Sequence, residues 1–167
     1  MGFVALLRGI NLGKLNKVDM KSLKELFIEL GYQDVRTYIQ TGNVLFSNKE
    51  YDVQALEEEL LKKYGFEIPV VIRTKEELQQ IILHPIFEKE QTYVMMLKEE
   101  LNEEQQALLD KLVEEEFAVI ANKNIVIHYH KSYHQTKFTN NYFEKKLGMS
   151  STARNTNTVR KLISMFP

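Results

Sequence analysis

Residues 2–8 read GFVALLR, and every side chain from Phe3 to Leu7 is apolar. In an extended strand Phe3, Ala5 and Leu7 point to one face, and Val4 and Leu6 to the other. A strand that is apolar on both faces belongs inside a sheet covered on both sides. The first element of the chain is therefore a central strand, and whatever follows must supply layers to cover it.

The following stretches supply them. After the loop GINLGKLNKV, Met20, Leu23, Phe27 and Leu30 recur at helical spacing from Asp19 until Gly31 stops the helix. DVRTYIQ and NVLFS read as two strands joined at Thr41-Gly42, a hairpin signal. Asp52 caps a second helix that Gly65 ends, and EIPVVIR reads as a fourth strand. The order β-α-β-β-α-β is that of the split βαβ, or ferredoxin-like plait. A connecting helix follows, with Thr74 and Glu77 as a capping box and His84-Pro85 as its end. The order then repeats. TYVMML is a strand, Asn102 caps a helix, and FAVIA and NIVIHYH pair through Asn122-Lys123. A helix ends at Gly148, MSSTAR makes a short closing strand, and a last helix carries Val159, Leu162, Ile163 and Phe166 as one stripe. The sequence predicts an α+β chain of two ferredoxin-like subdomains packed together, with a C-terminal helix. Residues 1–84 hold the first subdomain and its connecting helix, and residues 91–167 hold the second. The two plaits, each with one open sheet face, are expected to cover each other, with one compact structural unit as the alternative to two separate ones.

Composition narrows the class. The 167 residues include no Cys, which removes disulfides, thiolate metal sites and a cysteine nucleophile together. The first residues lack the basic lead and apolar length of a signal peptide, and no apolar run approaches the ~20 residues of a membrane span. The expectation is a soluble, cytoplasmic protein with no membrane partner. The formal net charge of -1 hides an asymmetry. Residues 1–48 carry six Lys/Arg against four Asp/Glu and residues 131–167 carry seven against one, while the middle of the chain is acidic. If folding joins the two ends they make one positive region; the acidic runs read as solvated helix faces.

In a plait the first two strands run parallel, so the loop Gly9–Val18 and the hairpin Gln40–Asn43 are expected at one edge of the sheet. That edge would hold Arg8, Asn11, Lys14, Lys17, Gln40 and Asn43, with no carboxylate in the chain before Asp19. Along DVRTYIQ, Arg36, Tyr38 and Gln40 are expected on one face and Val35, Thr37 and Ile39 on the other. Donors and positive charge point to an anion. GINLGK is one residue short of a P-loop and has Leu15 in place of the hydroxyl that binds Mg²⁺, so it is at most a glycine-bearing loop offering amides to a phosphate. Gly9 and Gly13 are equally well explained as turn residues. Near the C-terminus, Arg154, Asn155, Thr156, Asn157 and Thr158 stand in a row before the last helix. One of them suffices as a cap, and the rest would suit an anion at a helix start, although polar residues on an exposed turn need no such reason.

His128 and His130 alternate onto one side of a strand, with His134 in the next loop; solvated histidines explain them better than a metal, and no metal site is expected. No G-x-S-x-G, H-E-x-x-H or G-x-G-x-x-G occurs, and TGNVLFS lacks the aromatic spacing of an RNA-recognition motif.

VALLRGINLGKLNKVDM, VRTYIQTGNVLFS and TARNTNTVRKL together resemble the three signature stretches of a widespread bacterial family, domain of unknown function sixteen-ninety-seven. The resemblance spans the whole chain. It implies two plait-like subdomains and supplies no activity. It marks Arg8, Gly9, Asn11, Lys17, Tyr38, Gln40, Gly42 and Asn43, then Arg154, Asn155, Asn157 and Thr158. The chain departs from the family pattern at YHQTKFT, which stands where a Gly/Arg/Ser/Lys turn is usual and keeps Lys137. It departs again at Thr156, where an aromatic is usual. The combined expectation is an anion site between the subdomains, formed by Arg8, Asn11, Lys17, Tyr38, Gln40, Asn43, Lys137, Arg154, Asn155 and Thr158. It would take a phosphate-bearing small molecule or nucleic acid, with no cofactor. An enzyme acting on such a substrate, and a protein-interaction module in which the polar set is structural, remain alternatives.

Overall fold

β1 (Gly2–Leu7) is paired along both edges and buried on both faces, with Val4, Ala5 and Leu6 wholly inaccessible, in the computed structural model, which describes residues 2–167. Its neighbours are β3 (Asn43–Ser47) and β4 (Val70–Thr74), and β2 (Gln33–Tyr38) lies outside β3, giving the antiparallel order β2-β3-β1-β4. α1 (Met20–Glu29) and α2 (Val53–Tyr64) complete the plait. Asp19 and Asp52 cap these helices by accepting the Ser22 and Ala55 N–H groups, and Gly65 ends α2 in the left-handed conformation. Phe3, Ala5 and Leu7 on one face of β1 meet Leu23 and Phe27 of α1 and Leu56 and Leu60 of α2, each burial worth roughly 1.5–3 kcal/mol.

α3 (Lys75–Ile82) and a 3₁₀ turn (Pro85–Glu88) lead to the second plait. It comprises β5 (Thr92–Leu97), α4 (Glu103–Leu112), β6 (Glu116–Ile120), β7 (Asn124–His128), α5 (Asn140–Leu147) and β8 (Ser151–Asn155), and α6 (Thr156–Met165) follows β8. Its strand order is β6-β7-β5-β8, again antiparallel. Met95, Leu97, Leu109, Ile125, Phe143 and Leu147 lie in its core. The chain divides into two compact units, residues 1–75 with 162–167, and residues 76–161.

The element order, the α+β class and the two ferredoxin-like plaits are those read from the sequence. Strand ends shift by one to three residues, and three differences matter here. β2 ends at Tyr38 because Ile39 takes φ 50°, so Gln40 sits in the hairpin loop and the strand alternation stops before it. β7 ends at His128, although Tyr129 still donates its N–H to the Gln91 carbonyl. Thr74 lies inside β4, so α3 follows its strand directly. Among the described residues, no helix is long and apolar enough to cross a membrane.

Candidate functional site

The turn from β1 to α1 is a small hairpin. Asn11 N–H donates to the Asn16 carbonyl, and Leu12 and Leu15 exchange both backbone hydrogen bonds around Gly13-Lys14. Gly13 has φ 58° at the first turn position, which suits glycine in a two-residue hairpin loop. Asn11 holds the base. Its Oδ1 accepts the Val18 N–H at 2.9 Å, and its Nδ2 reaches the Val18 carbonyl at 3.1 Å and the Gln40 carbonyl at 2.8 Å. Asn16 Nδ2 donates to the Gly9 carbonyl. The loop 9–18 and the hairpin 40–43 are thus adjacent, as the plait topology requires. Leu7 N–H donates to the Gly42 carbonyl, and Gly42, at φ 94°, packs so close that an added Cβ would lie 2.7 Å from Ile10 Cδ1.

This bonding changes what the loop offers. The amides of Asn11, Leu12, Leu15 and Val18 are spent inside it and are not offered to an anion. Lys14 is exposed at its tip and Lys17 near its base, and Leu12 and Leu15 flank the tip, 53% and 69% exposed. Gln40 Oε1 accepts from Asn11 Nδ2 at 3.2 Å. Asn43 is wholly buried and closes the β2–β3 hairpin by donating to the Tyr38 carbonyl at 2.9 Å and to Thr41 Oγ1. Tyr38 and Arg8 are half-buried. One carboxylate reaches this edge from far along the chain: Glu57 Oε2 accepts the Val70 N–H, next to Pro69, whose carbonyl takes the Arg8 N–H.

The remaining marked residues lie in the second unit. Arg154 is 7% exposed, and its Nη1 donates to Thr152 Oγ1 at 2.6 Å and to the Ala153 carbonyl at 2.9 Å. Asn155 Oδ1 accepts the Thr158 N–H, which makes Asn155 the cap of α6. Lys137 is exposed, with its Nζ 5.1 Å from the centre of the Phe138 ring. His128 and His130 lie on the same side, ring centres 5.8 Å apart, but His128 Nδ1 is tied to the Glu90 carbonyl and His130 faces Glu115. Among the described residues, no group of three His, Asp or Glu side chains is placed to hold a metal. Sequence reasoning did not single out Arg73, 3% exposed on β4, whose Nη1 donates to the Ile72 carbonyl. The signal was an arginine closing an otherwise apolar strand.

A family model described as "Protein of unknown function (DUF1697)" matches residues 1–126. The chain belongs to this family. The matched region of this DUF1697 chain contains the first two signature stretches, and the third, TARNTNTVRKL, lies beyond it. Its fold is similar to that of a conserved bacterial protein, SP0830, from Streptococcus pneumoniae, with a TM-score of 0.72 at 22% identity, over 98% of this chain and 97% of that one. At that identity the likeness speaks for the fold alone. No curated protein matches the DUF1697 chain.

Proposed function

We propose that this is a small cytoplasmic binding protein that takes a phosphate-bearing ligand, a nucleotide or a nucleic-acid end, on the Gly9–Val18 edge of its first unit. The observation that carries the reading is that Lys14 and Lys17 stand exposed on a loop held in one shape by its own hydrogen bonds. Cations on a preorganised loop lose little entropy when an anion arrives. In this reading Lys14 and Lys17 neutralise phosphate, with Arg8 adding to the local potential. Gln40 keeps its Nε2 for the ligand, and Tyr38 offers an aromatic surface. Asn11 and Asn43 shape the site; Arg154, Asn155 and Thr158 are structural. Binding is favoured over catalysis because this stretch contains no histidine and its nearby carboxylates are engaged, Asp19 as a helix cap and Glu57 at the start of β4.

The exposed Leu12 and Leu15 favour a second reading, an interaction module whose loop tip docks on a protein. A thermal-shift panel of inorganic phosphate, nucleotides and short oligonucleotides, run on wild type and Lys14→Ala/Lys17→Ala, separates the two. The first reading expects one phosphate-bearing class to raise the wild-type melting temperature and to leave the variant unmoved. An equal shift in both proteins contradicts it, and no shift with any anion favours the second reading. Salt dependence then distinguishes the ligands: steep for a nucleic acid that contacts several phosphates, shallow for a nucleotide.

A further inference from the structure

The second unit has a cavity of about 540 Å³ where β7 leads into α5. Eleven residues, Tyr129–Thr139, make this connection, against five, Asn48–Asp52, at the same place in the first plait. The longer connection folds back over the start of β5 and sets Tyr133 against Tyr93, ring centres 4.7 Å apart and 32° from parallel. Tyr129 packs edge-on beneath both and is anchored through its hydroxyl to the Phe138 carbonyl. Tyr133 is itself held, since its hydroxyl accepts the Asn140 N–H at 3.0 Å, at the start of α5. The aromatic wall is therefore braced rather than floppy. Both of its rings remain partly accessible.

The rim is polar and carries the Lys131 cation: His130, Lys131, His134 and Gln135 line the cavity, and no carboxylate does. An acid, Glu115, meets His130, accepting its backbone N–H at 3.0 Å and facing its Nε2 at 3.5 Å. The short connection of the first plait lines a cavity of about 500 Å³ with Glu50 and Asp52 and no cation. Equivalent stretches of the two plaits thus carry opposite charge, and only the second adds a pair of stacked tyrosines.

We propose that the cavity formed by Tyr93, Tyr133, His130, Lys131 and His134 binds a mononucleotide-class ligand, a flat aromatic ring joined to a phosphate. The ring lies on the tyrosine pair, as bases do on aromatic side chains. The phosphate meets the Lys131 ammonium and the His134 imidazole on the exposed rim. An aromatic wall beside a few convergent polar groups is the mixture that small-ligand sites share. This site is separate from the loop of the first unit and stands or falls independently of it.

The test uses the full chain labelled with ¹⁵N, titrated with adenosine 5′-monophosphate, adenosine and ribose 5-phosphate. Amide shifts are read at Gln91, Tyr93 and residues 130–135 in wild type and in Lys131→Ala/His134→Ala, two exposed positions. The nucleotide is expected to shift these amides with an affinity about tenfold or more above either fragment, and the variant to weaken it by about tenfold. Shifts confined to Gly9–Val18, no shifts at millimolar nucleotide, equal affinity for ribose 5-phosphate, or an unchanged affinity in the variant would each overturn the proposal.

Discussion

The two plaits share one hydrogen-bonding register and differ in their loops. Val4 pairs with Arg73 and Val94 with Arg154; Leu6 pairs with Asn43 and Met96 with Asn124. Asn43 and Asn124 are both buried, and each closes its hairpin by donating to the carbonyl of the partner residue, Tyr38 or Ile120. Glu57 of α2 and Glu144 of α5 each accept the N–H of the first residue of the strand that follows, Val70 or Ser151. Arg73 and Arg154 are both buried and bond the preceding carbonyl. The repeat is therefore one of residues at matched positions as well as of element order. The first plait spends twelve residues between β1 and α1 where the second spends five between β5 and α4, and the second enlarges its β7–α5 connection instead. The shared register holds the fold, and the unshared loops are where binding chemistry is free to differ.

If the matched positions are equivalent in energy as well as geometry, paired substitutions cost alike. The largest effect is expected at the buried arginines. Arg73→Ala and Arg154→Ala should each lower unfolding free energy by about 2–4 kcal/mol, since each leaves a cavity and unpaired acceptors; chemical denaturation measures both, and a large cost at only one breaks the equivalence. Next is Gly42→Ala, which meets both a positive φ and a contact with Ile10, and should cost about 1–3 kcal/mol. The matching position in the second plait is Lys123, whose carbonyl takes the Leu97 N–H just as that of Gly42 takes the Leu7 N–H. Lys123→Ala removes an ion pair with Glu77 and should cost only about 0–1 kcal/mol, so thermal melts of these two variants locate where the plaits part. Asn43→Ala and Asn124→Ala should each cost about 1–2 kcal/mol.

The smallest effect concerns the edge strands. Gln33 faces Ser47 in the first plait, whereas Glu116 faces His128 in the second. The hydrogen bond from Lys89 holds the Glu116 carboxyl below its ordinary 4.5, with the positive charge of Lys89, His128 and His130 adding to it. A carboxyl favoured as its anion in the folded state stabilises above its ordinary pKa, and that contribution is lost as pH falls through the lowered value. Carbon-detected NMR titration should place the Glu116 midpoint below that of an ordinary glutamate, and Lys89→Ala should raise it. An unchanged midpoint in Lys89→Ala would remove this distinction between the plaits.

Much of this was legible in the chain itself. Period and caps located the strands and helices, because Asp19, Asp52, Asn102, Gly65 and Gly148 act within one turn of their own positions. The adjacency of the Asn11 loop and the Gln40 hairpin also followed, from strand direction alone. What was hidden depends on partners distant in sequence. Glu115 reaches His130 only because β6 lies beside β7, Glu57 meets Val70 through the packing of α2, and Arg154 turns toward Thr152 rather than outward. The small hairpin that holds Leu12 and Leu15 exposed was hidden too, because it depends on Asn11 and Asn16 bonding across the loop.

The claim that loops bind while the shared register stabilises is tested most directly by unfolding three proteins side by side, with and without the anion that most stabilises wild type. These are wild type, Lys14→Ala/Lys17→Ala and Arg154→Ala. The lysine variant should melt with wild type yet ignore the anion, and Arg154→Ala should melt lower yet still respond. A lysine variant that keeps its response, beside an Arg154→Ala protein that is stable and has lost it, would contradict the account and put the anion at Arg154.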